Sequence, residues 1–267
     1  MKVVLVTGVS SGIGKATAAR LSEIGFRTFG TVRTPIAQVG NVEIVPLDVR
    51  DSASAEECVA TVFERAGRID VLVNNAGTAL LGAAEEMTAE EARDLFETNL
   101  FGLMRMTQAV LPAMRRQRSG RIVNISSVLG FLPAPFMSAY AATKHAVEGY
   151  SESLDHEVRG FGVRVSVVEP GFTRTGLGHN IRTAQRLLPE YSDVRRRVLE
   201  RLTDNIDHGT DPADVARAVA RAVTDRAPRL RYQAGSEARL LRILRSIAPT
   251  AILDQGIRKT FGLGGAS

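Results

Sequence analysis

One cysteine, Cys58, in 267 residues excludes an internal disulfide. It lies in a helical pattern and reads as a small buried thiol, with a reducing cytoplasm as the expected compartment. There is no tryptophan and only 5% of residues are aromatic, which leaves little with which to stack nucleobases. Zinc-finger spacing, an RNP-like aromatic cluster and a basic-region heptad are also missing, so no nucleic-acid partner and no metal site are expected. The net charge of +5 is mostly arginine dispersed from Arg182 to Arg258, and an anionic small molecule is a use for it. No apolar run is long enough to span a bilayer. Met1 to Gly8 enter a strand pattern directly, without the architecture of a cleavable signal. Internal repeats and Pro/Ser-rich linkers are absent too, so residues 1–267 are expected to form a single domain.

What is present is an alternation. Short apolar, β-branched runs at 2–7, 27–32, 42–47, 69–74, 121–126 and 163–168 read as strands, with 229–233 as a possible seventh. Most are nearly continuous in hydrophobicity, as parallel strands covered on both faces must be. Helical patterns fill about 13–24, 52–66, 88–117 and 138–159, and Asp211-Pro212 looks like a cap followed by a first-turn proline. The expected fold is α/β: a doubly wound parallel sheet of Rossmann type with helices on both faces. A cofactor half of about 1–120 would be followed by a half carrying chemistry and substrate, about 121–267.

The first strand runs into Thr7-Gly8-Val9-Ser10-Ser11-Gly12-Ile13-Gly14 and then a helix. Glycines permit a sharp turn and a close approach of backbone to a pyrophosphate, and the helix start supplies free N–H groups. The cofactor-binding candidates here are Gly8, Ser10, Ser11, Gly12, Ile13 and Gly14. At the end of the second strand an NAD site usually carries an acid for the ribose 2′-hydroxyl. This chain has Arg33 instead, either a solvated strand-end cation or a fork for a 2′-phosphate. NADP is therefore the expected cofactor, with NAD possible. Asp48-Val49 closes the third strand and can meet an adenine amine, or is simply a turn. Asn74-Asn75-Ala76-Gly77 closes the fourth, and Asn99 is a helix-disfavoured residue inside a helical stretch.

Ser127 follows the fifth strand, at the sheet edge where ligands bind. Tyr140 lies thirteen residues later, and Lys144 one helical turn after it on the same face. A phenol titrates near 10 and needs an adjacent cation to act near neutrality. Lys144 can supply that charge, and Ser127 can orient a substrate oxygen beside Tyr140. Each residue alone has an ordinary structural use. Together behind a glycine turn they point to hydride transfer between a carbonyl and an alcohol.

These pieces, with Pro170-Gly171-Phe172-Thr173, resemble the short-chain dehydrogenase/reductases in their compact single-domain branch. The resemblance runs from residue 7 to 173. It implies an NAD(P)-dependent oxidoreductase that acts on CH–OH groups and forms a homodimer or homotetramer. It implies that Tyr140 is the acid in reduction and the base in oxidation, and that Lys144 tunes Tyr140 and grips the nicotinamide ribose. It also implies that Ser127 orients the carbonyl and that Asn99 holds the water of a proton relay. Pro170, Gly171, Thr173 and Thr175 would lie near the nicotinamide, under a mobile lid at about 172–210. One departure is Ser11, where NADP-preferring relatives often carry a basic residue. An isomerase or dehydratase with bound cofactor would use the same tyrosine and lysine. A non-catalytic cofactor-binding regulator would be expected to have lost them.

Leu129, Phe131, Leu132, Phe136 and Met137 either line a pocket for a small hydrophobic carbonyl or alcohol or bury into the core. The stretch 238–247 is amphipathic, with arginine at three-residue steps. It is a cover for the substrate cleft, a subunit contact or a membrane-surface helix. Arg33→Ala is expected to raise the KM for NADPH far more than that for NADH, measured by steady-state kinetics; equal changes would remove the 2′-phosphate assignment.

Overall fold

The computed structural model describes residues 1–34, 40–175 and 181–263. The chain begins β1 (Val3–Val6), α1 (Gly12–Glu23), β2 (Arg27–Val32), β3 (Glu43–Pro46), α2 (Ser52–Ala66), β4 (Val71–Asn74) and a short β5 (Leu80–Leu81). It continues through α3 (Ala89–Phe96), α4 (Gly102–Gln117), β6 (Gly120–Ile125), α5 (Ser138–Val158), β7 (Val163–Pro170) and a short β8 (Arg182–Thr183). The last elements are α6 (Ser192–Asp207), α7 (Pro212–Thr224), β9 (Arg231–Ala234), α8 (Ser236–Ile247) and α9 (Thr250–Thr260).

The main sheet has the order β3-β2-β1-β4-β6-β7-β9, parallel throughout. Alternation along each strand divides the core in two. Val4 and Val6 pack with Ala18 and Leu21 of α1 and Val215 and Val219 of α7. Val3 and Leu5 face the other way, onto Val59 of α2, Met106 and Val110 of α4 and Leu154 of α5. The doubly wound expectation is met because the strands are apolar on both faces. Cys58 is one of the buried residues of the second layer, and burial pushes its thiol up to about 12.

The order in which strands are added switches sides between β1 and β4, so a crevice opens at their carboxyl ends. Two polar side chains hold this region together from inside. Asn74 donates to Asn124 Oδ1 at 2.9 Å and to Thr107 Oγ1 at 3.2 Å. Asn124 in turn donates to Ser151 Oγ at 2.8 Å. The chain of bonds ties α4, β4, β6 and α5 into one block, which fixes α5 against the sheet.

The expected helix 88–117 is interrupted. Thr88 and Glu91 form a reciprocal cap that starts α3, but Glu97–Phe101 is a π turn, with Gly102 N–H donating to Glu97 O. Periodicity alone does not reveal one inserted residue in a helix. Asn124→Ala takes one buried hydrogen-bond partner each from Asn74 and Ser151. It is expected to lower stability by about 2–3 kcal/mol, measured by urea denaturation.

Candidate active site

The turn after β1 is held by side chains from β4 and its loop. Asn75 donates both amide hydrogens, to Thr7 O at 2.8 Å and Gly8 O at 2.9 Å. Thr7 Oγ1 accepts from the N–H groups of Asn75 and Ala76, each at 2.9 Å. Gly8 adopts φ +72° and Gly12 φ +56°, values that favour glycine. A Cβ on Gly14 would stand 2.1 Å from Gly8 O, so this glycine lets α1 close on the turn. Asn75 therefore acts first as a brace.

One cavity of about 580 Å³ begins at this turn and ends beside α5. Gly8, Ser10, Ser11, Gly12, Ile13 and Gly14 line its start, with Arg33, Asp48 and Val49 to one side. Asn75, Ala76 and Gly77 form its floor, and Ser127, Tyr140, Lys144, Pro170, Gly171, Thr173 and Thr175 surround the inner part. The start fits an anionic dinucleotide. Ser11 caps α1 without a side-chain hydrogen bond, and the first turn holds no acidic residue. Arg33 is exposed and has no carboxylate partner among the described residues.

At the inner end, Ser127 Oγ accepts from Leu129 N at 3.1 Å and pairs with the Tyr140 hydroxyl. Lys144 is buried, and its Nζ donates to Ile125 O at 2.9 Å. The amine lies 5.7 Å from the Tyr140 ring centroid. Burial pushes the phenol up to about 12, and the Ser127 bond offsets this only in part. Burial brings the Lys144 amine down to about 8, against the pull of Glu148. The protein by itself thus holds a neutral phenol beside an amine that gives up its proton more easily than a free lysine does. Burial is the larger influence on the phenol, and Ser127 is the partner that opposes it.

Asn99 sits in the π turn, as such turns often mark a site. Its side chain is fully engaged: Nδ2 donates to Thr78 O at 2.9 Å and Thr143 Oγ1 at 3.2 Å, and Oδ1 accepts from Thr78 N at 2.8 Å. Thr143 donates to Tyr140 O at 2.7 Å. Asn99 thereby anchors the Tyr140 turn to the loop after β4. Thr173 spends its hydroxyl locally, donating to Gly171 O at 3.0 Å.

The apolar loop after Ser127 divides. Leu129 and Met137 line the cavity. Phe131 and Leu132 pack with Val128 and with Ala238 of α8, so α8 covers this loop. Phe136 meets Tyr191 edge-on at 6.1 Å. Ile181, Leu202 and Ile206, for which no local pattern predicts a place in a site, complete the apolar end of the cavity. Residues 176–180 of the expected lid lie outside the described residues. The rest is tied down. Ala184 N donates to Leu81 O at 2.8 Å, and β8 pairs with β5. Gln185 N donates to Glu91 Oε1 and Leu188 N to Glu86 Oε1, both at 2.9 Å. Glu86 is fully buried and paired with Arg195. Burial alone would raise its carboxyl, but the N–H groups of Leu188 and Ala83 and the Arg195 guanidinium hold it below the usual range.

The short-chain dehydrogenase family profile matches residues 2–186. A 3-ketodihydrosphingosine reductase from Bacteroides thetaiotaomicron is 39% identical over 236 residues, covering 88% of each chain. The crystal structure of a short-chain dehydrogenase from Streptomyces avermitilis superposes with a TM-score of 0.81 at 38% identity, covering 99% of this chain and 98% of that one. A short-chain dehydrogenase/reductase from Burkholderia phymatum in complex with NAD gives 0.80 at 26% identity, covering 92% and 93%.

Glu86→Gln removes the charge that holds the segment 184–195. Trypsin cleavage at Arg186 is expected to speed up about tenfold, followed by gel and mass spectrometry; an unchanged rate would show that the strut does not restrain the segment.

Proposed function

Because this chain belongs to the short-chain dehydrogenase/reductase family and is an oxidoreductase using a nicotinamide cofactor, we propose that it is an NADPH-preferring reductase of ketones or aldehydes on hydrophobic small molecules. One observation carries this reading: Tyr140, Ser127 and Lys144 meet at the apolar end of the same cavity whose other end is the glycine turn. The nicotinamide, when bound, supplies hydride to the carbonyl carbon and accepts it in the reverse direction.

The turn from Gly8 to Gly14 and the start of α1 take the pyrophosphate, Asp48 and Val49 flank the adenine, and Arg33 takes the 2′-phosphate. Ser127 orients the carbonyl oxygen. Tyr140 holds a proton at its phenol oxygen and gives it to that oxygen as negative charge develops there. A phenol raised to about 12 stays protonated at neutral pH, which suits the reductive direction. Lys144 in its ammonium form offers protons to the phenol side and to ribose hydroxyls. Asn99 lies in the π turn closed by the Gly102 N–H on Glu97 O, and the relay water is assigned to that turn. Pro170, Gly171, Thr173 and Thr175 close the nicotinamide end beneath the lid.

The substrate class rests on the apolar lining by Leu129, Met137, Phe172, Ile181, Leu202 and Ile206 and on the relative named 3-ketodihydrosphingosine reductase. No helix among the described residues is long and apolar enough to cross a membrane. A cytoplasmic homodimer or homotetramer is proposed with this assignment, and light scattering reads the mass.

NADPH oxidation with a panel of hydrophobic ketones is expected, and an isomerase would show no net consumption. Tyr140→Phe is expected to lose at least a hundredfold in kcat while cofactor affinity, read by fluorescence titration, is retained. In the wild type kcat for reduction should hold below and fall above the value of about 8 at which Lys144 loses its proton. Turnover retained by Tyr140→Phe would defeat the acid assignment.

A further inference from the structure

The face of α5 that carries Tyr140 and Lys144 continues one turn further to Glu148 and then Glu152. Glu148 is buried, and its Oε1 has no hydrogen-bond partner among the described residues. Its Oε2 accepts from Arg231 Nε of β9 at 3.0 Å. Arg231 also reaches Glu152 Oε2 at 2.8 Å and lies 3.7 Å from Glu169 Oε1 on β7. Glu169 is fully buried, and Arg242 of α8 approaches it at 3.3 Å. Gln233 donates to its other oxygen at 2.6 Å. Three carboxylates thus surround two guanidinium groups. The third carboxylate needs either the charge of Lys144 or a proton of its own, and Glu169 is indeed raised by burial and by Glu148.

The same cluster presses on the loop that carries Ser127. Gly130 has no side chain where a Cβ would stand 2.5 Å from Ser126 Oγ and 3.2 Å from Glu148 Oε1. Arg242 stacks over Phe131 with its guanidinium 4.7 Å from the ring centroid. A single group of charges therefore lies one helical turn from the lysine and against the serine loop and α8.

We propose that Glu148 is a positioning residue for the reaction: its buried carboxylate keeps Lys144 charged and braces the turn bearing Ser127, while Arg231 and Arg242 extend this control to α8. The proposal rests on the reading of Tyr140 and Lys144 given above. Glu148 faces Lys144 on its own helix, Arg231 from β9, Glu169 from β7 and Ser126 from the loop after β6; Glu152 and Arg242 complete the ring. Loss of the Glu148 charge makes the ammonium harder to keep in a dry site. Loss of Arg231 frees Glu148 to act on Lys144 alone.

The chain has four lysines, Lys2, Lys15, Lys144 and Lys259, so each can be followed by NMR of 13Cε-labelled lysine without cofactor or substrate. In the wild type one resonance is expected to titrate near 8, and its absence from Lys144→Met identifies it. Glu148→Gln keeps the shape of the side chain and is expected to lower that midpoint by about one unit. Arg231→Gln is expected to raise it. Opposite movements are not what a general loosening of the fold produces, and Glu148→Asp should restore most of the shift. With a substrate in hand, the alkaline limb of kcat should move down in Glu148→Gln while KM for cofactor holds. A midpoint that stays put in both variants, or moves the same way in both, overturns the proposal. Should Glu148→Gln fail to fold, a midpoint unmoved in Arg231→Gln overturns it as well. The midpoints are read without turnover, so a failed acid–base assignment, seen as active Tyr140→Phe, is distinguishable from a failure of this inference.

Discussion

A lysine ammonium held away from water is the constraint around which the inner half of this molecule is arranged. Burial lowers the pKa of this amine to about 8, against the pull of Glu148. Lys144 keeps a hydrogen bond to Ile125 O at 2.9 Å, and Glu148 lies one turn along the helix. These partners dictate where α5 must lie relative to the end of β6. The buried bonds from Asn74 through Asn124 to Ser151 hold that placement. A small rotation of α5 would break the amine's contact with the strand and move the phenol from Ser127 together.

The outer half answers a different demand, that of bringing backbone close to an anion. Its side chains serve the turn before they serve any ligand. Asn75 and Thr7 bind the turn to β4, and Gly14 admits the carbonyl of Gly8 where a methyl group would collide. The result is a rigid cradle with free N–H groups at the start of α1. Arg33 stands beside it, exposed and with no carboxylate partner among the described residues. Between the halves, Asn99 and Thr143 connect the loop after β4 to the turn of α5 that bears Tyr140.

The far wall has yet another basis. Glu86 and Glu91 are buried carboxylates that accept N–H groups from the segment after β8. That segment is polar in sequence, and the family resemblance implies that it is part of a mobile lid. In the fold its backbone is tied down by acids nearly a hundred residues earlier in the chain. Leu202 and Ile206, on the inward face of α6, then supply apolar wall to the cavity.

The order of strands and helices, the glycine turn and the Ser127–Tyr140–Lys144 spacing were legible in the sequence, because each depends on residues close together in the chain. Period, caps and an i,i+4 step are local properties. The step from Lys144 to Glu148 is local by the same rule, but an acid on a helix usually faces water, and only the fold buries this one. What only the tertiary structure decided rests on distant partners. The π turn at Asn99 shows no break in periodicity. The loop from Leu129 to Met137 divides between cavity and core because α8 covers half of it. The Tyr140 phenol is raised because neighbouring elements exclude water from its hydroxyl. Charge, dryness and enclosure are set by whatever packs on a side chain, and the chain's own order does not specify that until it has folded.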